Sequence, residues 1–84
     1  MASQEAIQNL IIGKLATILR TAPEQIDPKT SIFSCGLDSS GALSLTGQLE
    51  DELAISLDPA MFWQHPNIAD LSQQVSQLCK SQGT

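Results

Sequence analysis

The chain has 84 residues, with nine acids against four bases, a formal net charge of −5, one tryptophan, two phenylalanines and no tyrosine. That length holds one domain, 1–84, and with 42% hydrophobic residues it supports a small, mostly aliphatic core. The composition argues against direct nucleic-acid binding, which needs Lys and Arg to neutralise phosphate, and against a membrane span, since no apolar run approaches ~20 residues.

The first ten residues carry Gln4, Glu5 and Gln8 and no basic cluster. They do not read as a secretory signal, so a cytoplasmic, monomeric protein without membrane contact is expected. Residues 4–20 read as a helix: Ile7, Leu10, Ile11, Leu15, Ile18 and Leu19 recur at three- and four-residue steps, the mark of one buried face. Ser3 is placed to cap it. Gly13 weakens its middle by ~1 kcal/mol relative to alanine. Residues 21–38 form a long connection in which Pro23, Pro28 and Gly36 oppose regular structure. A loop longer than ~12–15 residues in a small domain is usually pinned or functional. Ile26, Ile32 and Phe33 are the expected pins, with Leu37 a candidate fourth.

Residues 39–54 read as the second helix, with Asp38 or Ser39 at its N-cap. Ala42, Leu45, Thr46, Leu49 and Leu53 project onto one stripe. Ser40, Ser44, Gly47 and Asp51 fall opposite, with Leu43 and Glu50 on the border. Glu50-Asp51-Glu52 sit near the C-terminal end, where the helix dipole disfavours negative charge, so local helix stability does not explain them. Residues 59–63 read as a short helix, capped by Asp58 with Pro59 in the first helical position and ended by His65-Pro66. Residues 68–80 form the last helix, with Asn67 as N-cap and Asp70 three residues on, in the manner of a capping box. Ile68, Leu71, Val75 and Leu78 line its inner face. No strand stands out. The expected fold is all-α, a bundle of three main helices and one short one.

The four bases are Lys14, Arg20, Lys29 and Lys80, leaving none between residues 30 and 79. That interval holds Asp38, Glu50, Asp51, Glu52, Asp58 and Asp70. An acidic middle of this kind favours a basic protein partner, because complementary fields speed encounter. It also serves solubility. Cys35 and Cys79 form no CxxC pair and read as free, half-buried thiols. With His65 they make too few ligands for a zinc site, and no metal site is expected.

Gly36-Leu37-Asp38-Ser39-Ser40 puts a hydroxyl just after a turn at a helix start. As a nucleophile Ser39 would need a base and an orienting acid. His65, the single histidine, reads as a partly exposed loop residue. The nucleophile-elbow pattern, glycine two residues before and two after the serine, is half missing: Leu37 precedes and Gly41 follows. Ser39 is therefore a site modified by another enzyme, or a helix cap, rather than a catalyst, and the chain is not expected to be an enzyme.

Gly36-Leu37-Asp38-Ser39, with Leu43, Leu45, Leu49 and Glu50 at these intervals, resembles the phosphopantetheine-attachment motif of acyl carrier proteins. Phe33 ahead of the motif, and Leu57, Pro66, Ile68 and Leu71 after it, extend the resemblance over nearly the whole chain. It implies an acyl-carrier-like bundle in which a phosphopantetheinyl transferase attaches 4′-phosphopantetheine to Ser39 from coenzyme A. The transferase would supply magnesium and the base, and the thiol of the attached group would carry acyl thioesters between enzymes of polyketide or fatty-acid-type biosynthesis. Asp38 would orient the helix start and meet the transferase. Leu43, Ser44, Gly47, Glu50 and Asp51 match positions on the partner-facing side of the second helix, although Leu43 is equally placed to pack on Met61 or Phe62.

One feature departs from the common pattern. The position after the modified serine usually holds a larger apolar residue, and here Ser40-Gly41 leaves the helix start small and polar. Leu37-Asp38 argues against a peptidyl carrier, which more often has Gly-Gly and then His or Asp before its serine. Ser40 to Leu71 is most similar to carrier domains of modular polyketide synthases, cyanobacterial examples served by fatty acyl-AMP ligases above all. The expected partners are thus a transferase, an acyl-activating ligase, and a ketosynthase or other synthase enzyme. The competing reading is an unmodified acidic helical interaction module.

Overall fold

The computed structural model describes residues 3–82. The expected domain also takes in residues 1, 2, 83 and 84, which lie outside the described residues. Four helices follow in order: α1 (Gln4–Leu19), α2 (Ser39–Leu53), α3 (Met61–Gln64) and α4 (Ile68–Gln82). No helix is long and apolar enough to cross a membrane among the described residues. α1 packs most extensively on α4 and also against α2.

Each long helix starts on a side-chain cap that its sequence announces. Ser3 accepts a hydrogen bond from the Ala6 N–H at 3.1 Å, Asp38 from Gly41 at 2.7 Å, and Asn67 from Asp70 at 2.8 Å. These bonds satisfy donors that helix geometry leaves without a partner. The last cap is not a full capping box. The Asp70 carboxylate accepts from the Asn67 side-chain amide at 3.2 Å, so the two side chains hold each other.

The helix ends follow a different rule. Arg20 and Ala54 close α1 and α2 in the left-handed conformation, at φ 56° and 55°. This is the geometry of a glycine stop built from residues that carry a Cβ.

The core is aliphatic apart from Phe62, with Ile7, Ile11, Leu15, Ile32, Leu45, Leu49, Ile68, Leu71 and Val75 fully enclosed. Ala42, Leu45, Thr46 and Leu49 form the buried stripe of α2 as expected, with Leu53 packed at its edge. Ser72 and Ser76 are buried too, which the apolar reading of α4 left out. The Ser72 hydroxyl donates to the Ala69 carbonyl at 2.8 Å and so enters the interior already satisfied.

Two expectations need correction. The short helix begins at Met61, two residues later than the cap-plus-proline pattern suggests. Asp58 accepts from the Ala60 N–H at 3.0 Å and forms a turn, and the first α3 donors reach back only three residues. The long connection also contains one turn of 3₁₀ helix, Pro23–Gln25.

That connection is pinned twice to the start of α4. Ala69 N–H donates to the Pro28 carbonyl at 3.1 Å, and Ile32 N–H donates to Pro66 at 2.8 Å, within an isolated antiparallel bridge between Ser31 and Asn67. Ile26, Ile32 and Leu37 are buried beneath it. Phe33 is a half-buried pin, stacked on Trp63 of α3 with ring centroids 4.5 Å apart.

Candidate functional site

The chain arrives at α2 through a tight turn. Cys35 N–H donates to the Ile32 carbonyl at 3.2 Å and Gly36 N–H to Phe33 at 3.2 Å. Gly36 takes φ 109°, a conformation a side chain would strain. Leu37 then turns inward and is buried, while Asp38 adopts an extended backbone.

Asp38 is the N-cap of α2. Its side chain takes the Gly41 N–H, and its own carbonyl accepts from Ala42 at 2.9 Å. Of the two candidate caps, the structure therefore uses Asp38. Ser39 is the first helical residue, exposed, and its hydroxyl makes no hydrogen bond to the described residues. Among those residues no base, His65 included, is hydrogen-bonded to it. A hydroxyl held on a rigid helix start and used for nothing locally is well placed to accept a group from outside. The N-terminal pole of the helix favours an anion such as a phosphodiester at this point. The donor set therefore suits attached phosphopantetheine.

Gly41 is a residue whose role the sequence reading missed. A Cβ there would lie 2.5 Å from Leu37 Cδ1 and 3.2 Å from Asp38 Oδ1. Its missing side chain is what lets Leu37 fold over the first turn and Asp38 close the cap. The signal available in the sequence was a glycine three residues past an aspartate, at a cap spacing.

The outer face of α2 stands as the helical projection placed it. Ser40, Ser44, Gly47 and Asp51 are exposed. Gln48 donates to the Ser44 hydroxyl at 3.3 Å. Leu43 is 58% exposed, so neither Met61 nor Phe62 covers it. Glu50 lies on the border of this face, where the projection placed it. It is half-buried, and its carboxylate accepts from the Leu57 N–H at 2.9 Å. The acidic middle is also not wholly uncompensated, because Lys14 of α1 lies 3.6 Å from Glu52. Cys35 and Cys79 are free and half-buried. No group of three or more potential metal ligands gathers among the described residues.

Comparison with known proteins points the same way. The family model for the phosphopantetheine attachment site matches residues 9–75. The fold is similar to a free-standing peptidyl carrier protein from Acinetobacter baumannii, with TM-score 0.87, 34% identity, and 92% of this chain and 96% of that one covered. It is also similar to an acyl carrier protein from Anabaena sp. PCC 7120 with a variant phosphopantetheinylation-site sequence, with TM-score 0.84, 38% identity, and coverage of 92% and 88%. A phenolphthiocerol/phthiocerol polyketide synthase of Mycobacterium tuberculosis is 29% identical over 72 residues, 86% of this chain. The chain spans about 4% of the length of the first such curated relatives. An all-α bundle with an attachment-site match across its centre identifies the chain as a member of the phosphopantetheine-binding carrier proteins, a non-catalytic family of polyketide and peptide biosynthesis.

Proposed function

We propose that Ser39 is the attachment residue and that the carrier serves polyketide-type assembly. The observation that carries the first part is the division of labour at the α2 start, where Asp38 caps and the Ser39 hydroxyl is left exposed and unbonded. When attached, phosphopantetheine supplies a terminal thiol that holds acyl groups as thioesters. The chain's own residues present the hydroxyl: Leu37 anchors the turn, Asp38 fixes the helix start, and the helix pole favours the phosphodiester. The exposed residues Leu43, Ser44, Gly47 and Asp51 form the face that a transferase and later enzymes meet.

The similarity to polyketide synthases supports a polyketide setting. The similarity to an Anabaena acyl carrier supports the cyanobacterial type, whereas loading by a fatty acyl-AMP ligase rests on the resemblance of Ser40 to Leu71 alone. The similarity to a peptidyl carrier keeps a second reading in play, in which the cargo is an aminoacyl group.

Intact mass after incubation with coenzyme A, magnesium and a broad-specificity phosphopantetheinyl transferase tests the site. The wild type should gain one phosphopantetheine group and Ser39→Ala none. A wild type that is folded yet gains no mass would leave the interaction-module reading. Challenging the modified protein with a fatty acyl-AMP ligase, and separately with an amino-acid-adenylating enzyme, separates the two cargo classes.

A further inference from the structure

We infer that the stacked pair Phe33–Trp63 is a resting surface for the carrier's own cargo, and that the cargo it takes is an aliphatic acyl chain of more than a few carbons. This rests on the carrier reading of Ser39 given above.

The pair is an apolar surface that the fold builds and leaves open. The ring centroids are 4.5 Å apart and the planes 9° from parallel. Phe33 therefore covers one face of the indole, and the 56% exposure of Trp63 belongs to its other face and edges. Phe33 comes from the loop before α2 and Trp63 from α3, so two elements hold the platform. Offset stacking fixes the rings, and an apolar chain meets a preformed flat surface.

The backbone sets how far this surface lies from Ser39. Gly36 N–H donates to the Phe33 carbonyl at 3.2 Å. Ser39 is three residues further on, at most ~11 Å of chain. Attached phosphopantetheine is about as long as five extended residues, roughly 17 Å. The thioester end thus reaches the stack. Such a tether holds the cargo at an effective concentration on the order of mM, where a weak apolar contact still counts.

The interior offers the cargo no such place. Leu45, Leu49, Phe62 and Ile68 are fully enclosed, and no cavity opens among the described residues. A core packed in this way admits a chain only by moving apart. The other large exposed apolar side chain, Leu43, lies one turn along α2 from Ser39. It presents a single branched side chain, whereas the two rings present an extended face. Each methylene laid on a ring face gains about two-fold in the ratio of resting to free arm, half the effect of full burial on a logarithmic scale. An acetyl group has no methylene to lay down. An octanoyl group has a run of them.

The test loads the full chain with acetyl- or octanoyl-phosphopantetheine from the matching coenzyme A thioester, using the broad-specificity transferase, and intact mass confirms each product. NMR then reads the Trp63 indole N–H resonance and the close approaches between acyl methylenes and ring protons. Relative to the unacylated form, octanoyl should move the indole resonance at least about five-fold further than acetyl does, with its methylenes against both rings. Trp63→Phe should keep those contacts. Trp63→Ser should return the methylene resonances to those of free octanoyl thioester, with loading by the transferase unchanged. The acetyl–octanoyl comparison decides the matter in the wild type whether or not a variant folds. The inference is overturned if the indole responds equally to both groups, or if the methylenes meet Leu43, Leu45 or Phe62 in place of the stacked rings. A wild type that gains no mass overturns the carrier reading and this inference together. A loaded wild type with an unmoved indole overturns the inference alone.

Discussion

An aspartate placed one residue ahead of a serine takes over the capping that the serine would otherwise perform, and the serine is left with a hydroxyl that the fold does not need. Asp38→Ala should therefore cost about 1 kcal/mol, within the roughly 0.5–2 kcal/mol range of lost caps, read as a lower urea midpoint. Gly41→Ala sets two effects against each other. Alanine gains up to about 1 kcal/mol of helix propensity. Its Cβ, however, meets Leu37 at 2.5 Å, and overpacking costs about 1–3 kcal/mol. Leu37 is buried and cannot swing freely, so a net loss of roughly 1 kcal/mol is expected in the same measurement. A gain in stability would mean that Leu37 has moved out of the turn. At this scale the sequence was most informative about polar caps, because a cap is a local bond between neighbours. Gly41 was harder to read because its constraint comes from packing.

Helix starts and helix ends differ in how they are written. Ser3, Asp38 and Asn67 mark the starts through a side-chain oxygen at fixed spacing, whereas Arg20 and Ala54 mark the ends through a backbone angle with no residue-type signal. The apolar stripe of α2 was legible for the same reason as the caps, since its period is a property of the helix alone. The late start of α3 was not, because Asp58 had two neighbouring donors to choose from and took the nearer. Two stabilising changes follow at this scale. Gly47 has open space where a Cβ would stand, so Gly47→Ala should raise stability by about 0.5–1 kcal/mol. Ala54→Gly relieves a left-handed alanine and should gain about 0.5 kcal/mol after the entropy of glycine is subtracted. Thermal melts of the two single variants and the double variant check both, with each shift a few degrees and the pair close to additive.

For the molecule as a whole, one ring and two loop bonds matter more than the surface charges. Phe62 is the largest fully buried side chain, and Phe62→Ala should cost about 3–5 kcal/mol. A domain this small starts near the low end of ~5–15 kcal/mol, so that variant should lose its cooperative melt at physiological temperature. Lys14→Ala, by contrast, removes a half-exposed ion pair and should change stability by only about 1 kcal/mol. The bundle itself was readable from periodicity. The way the bundle is tied together was not: Glu50 to Leu57, Ile32 to Pro66 and Pro28 to Ala69 join residues that no short-range pattern connects. The first of those ties gives Glu50, one acid of the helix end that helix physics alone left unaccounted for, a place in the fold. The stacked pair Phe33–Trp63 has one more consequence. Trp63 is the only tryptophan of the chain and is 56% exposed, its ring lying flat against a residue of the loop that leads to Ser39. Indole emission is sensitive to solvent, so the unlabelled protein contains its own optical probe. A docking enzyme that covers this ring or parts the stack should announce itself as a shift in fluorescence, in real time and without a dye.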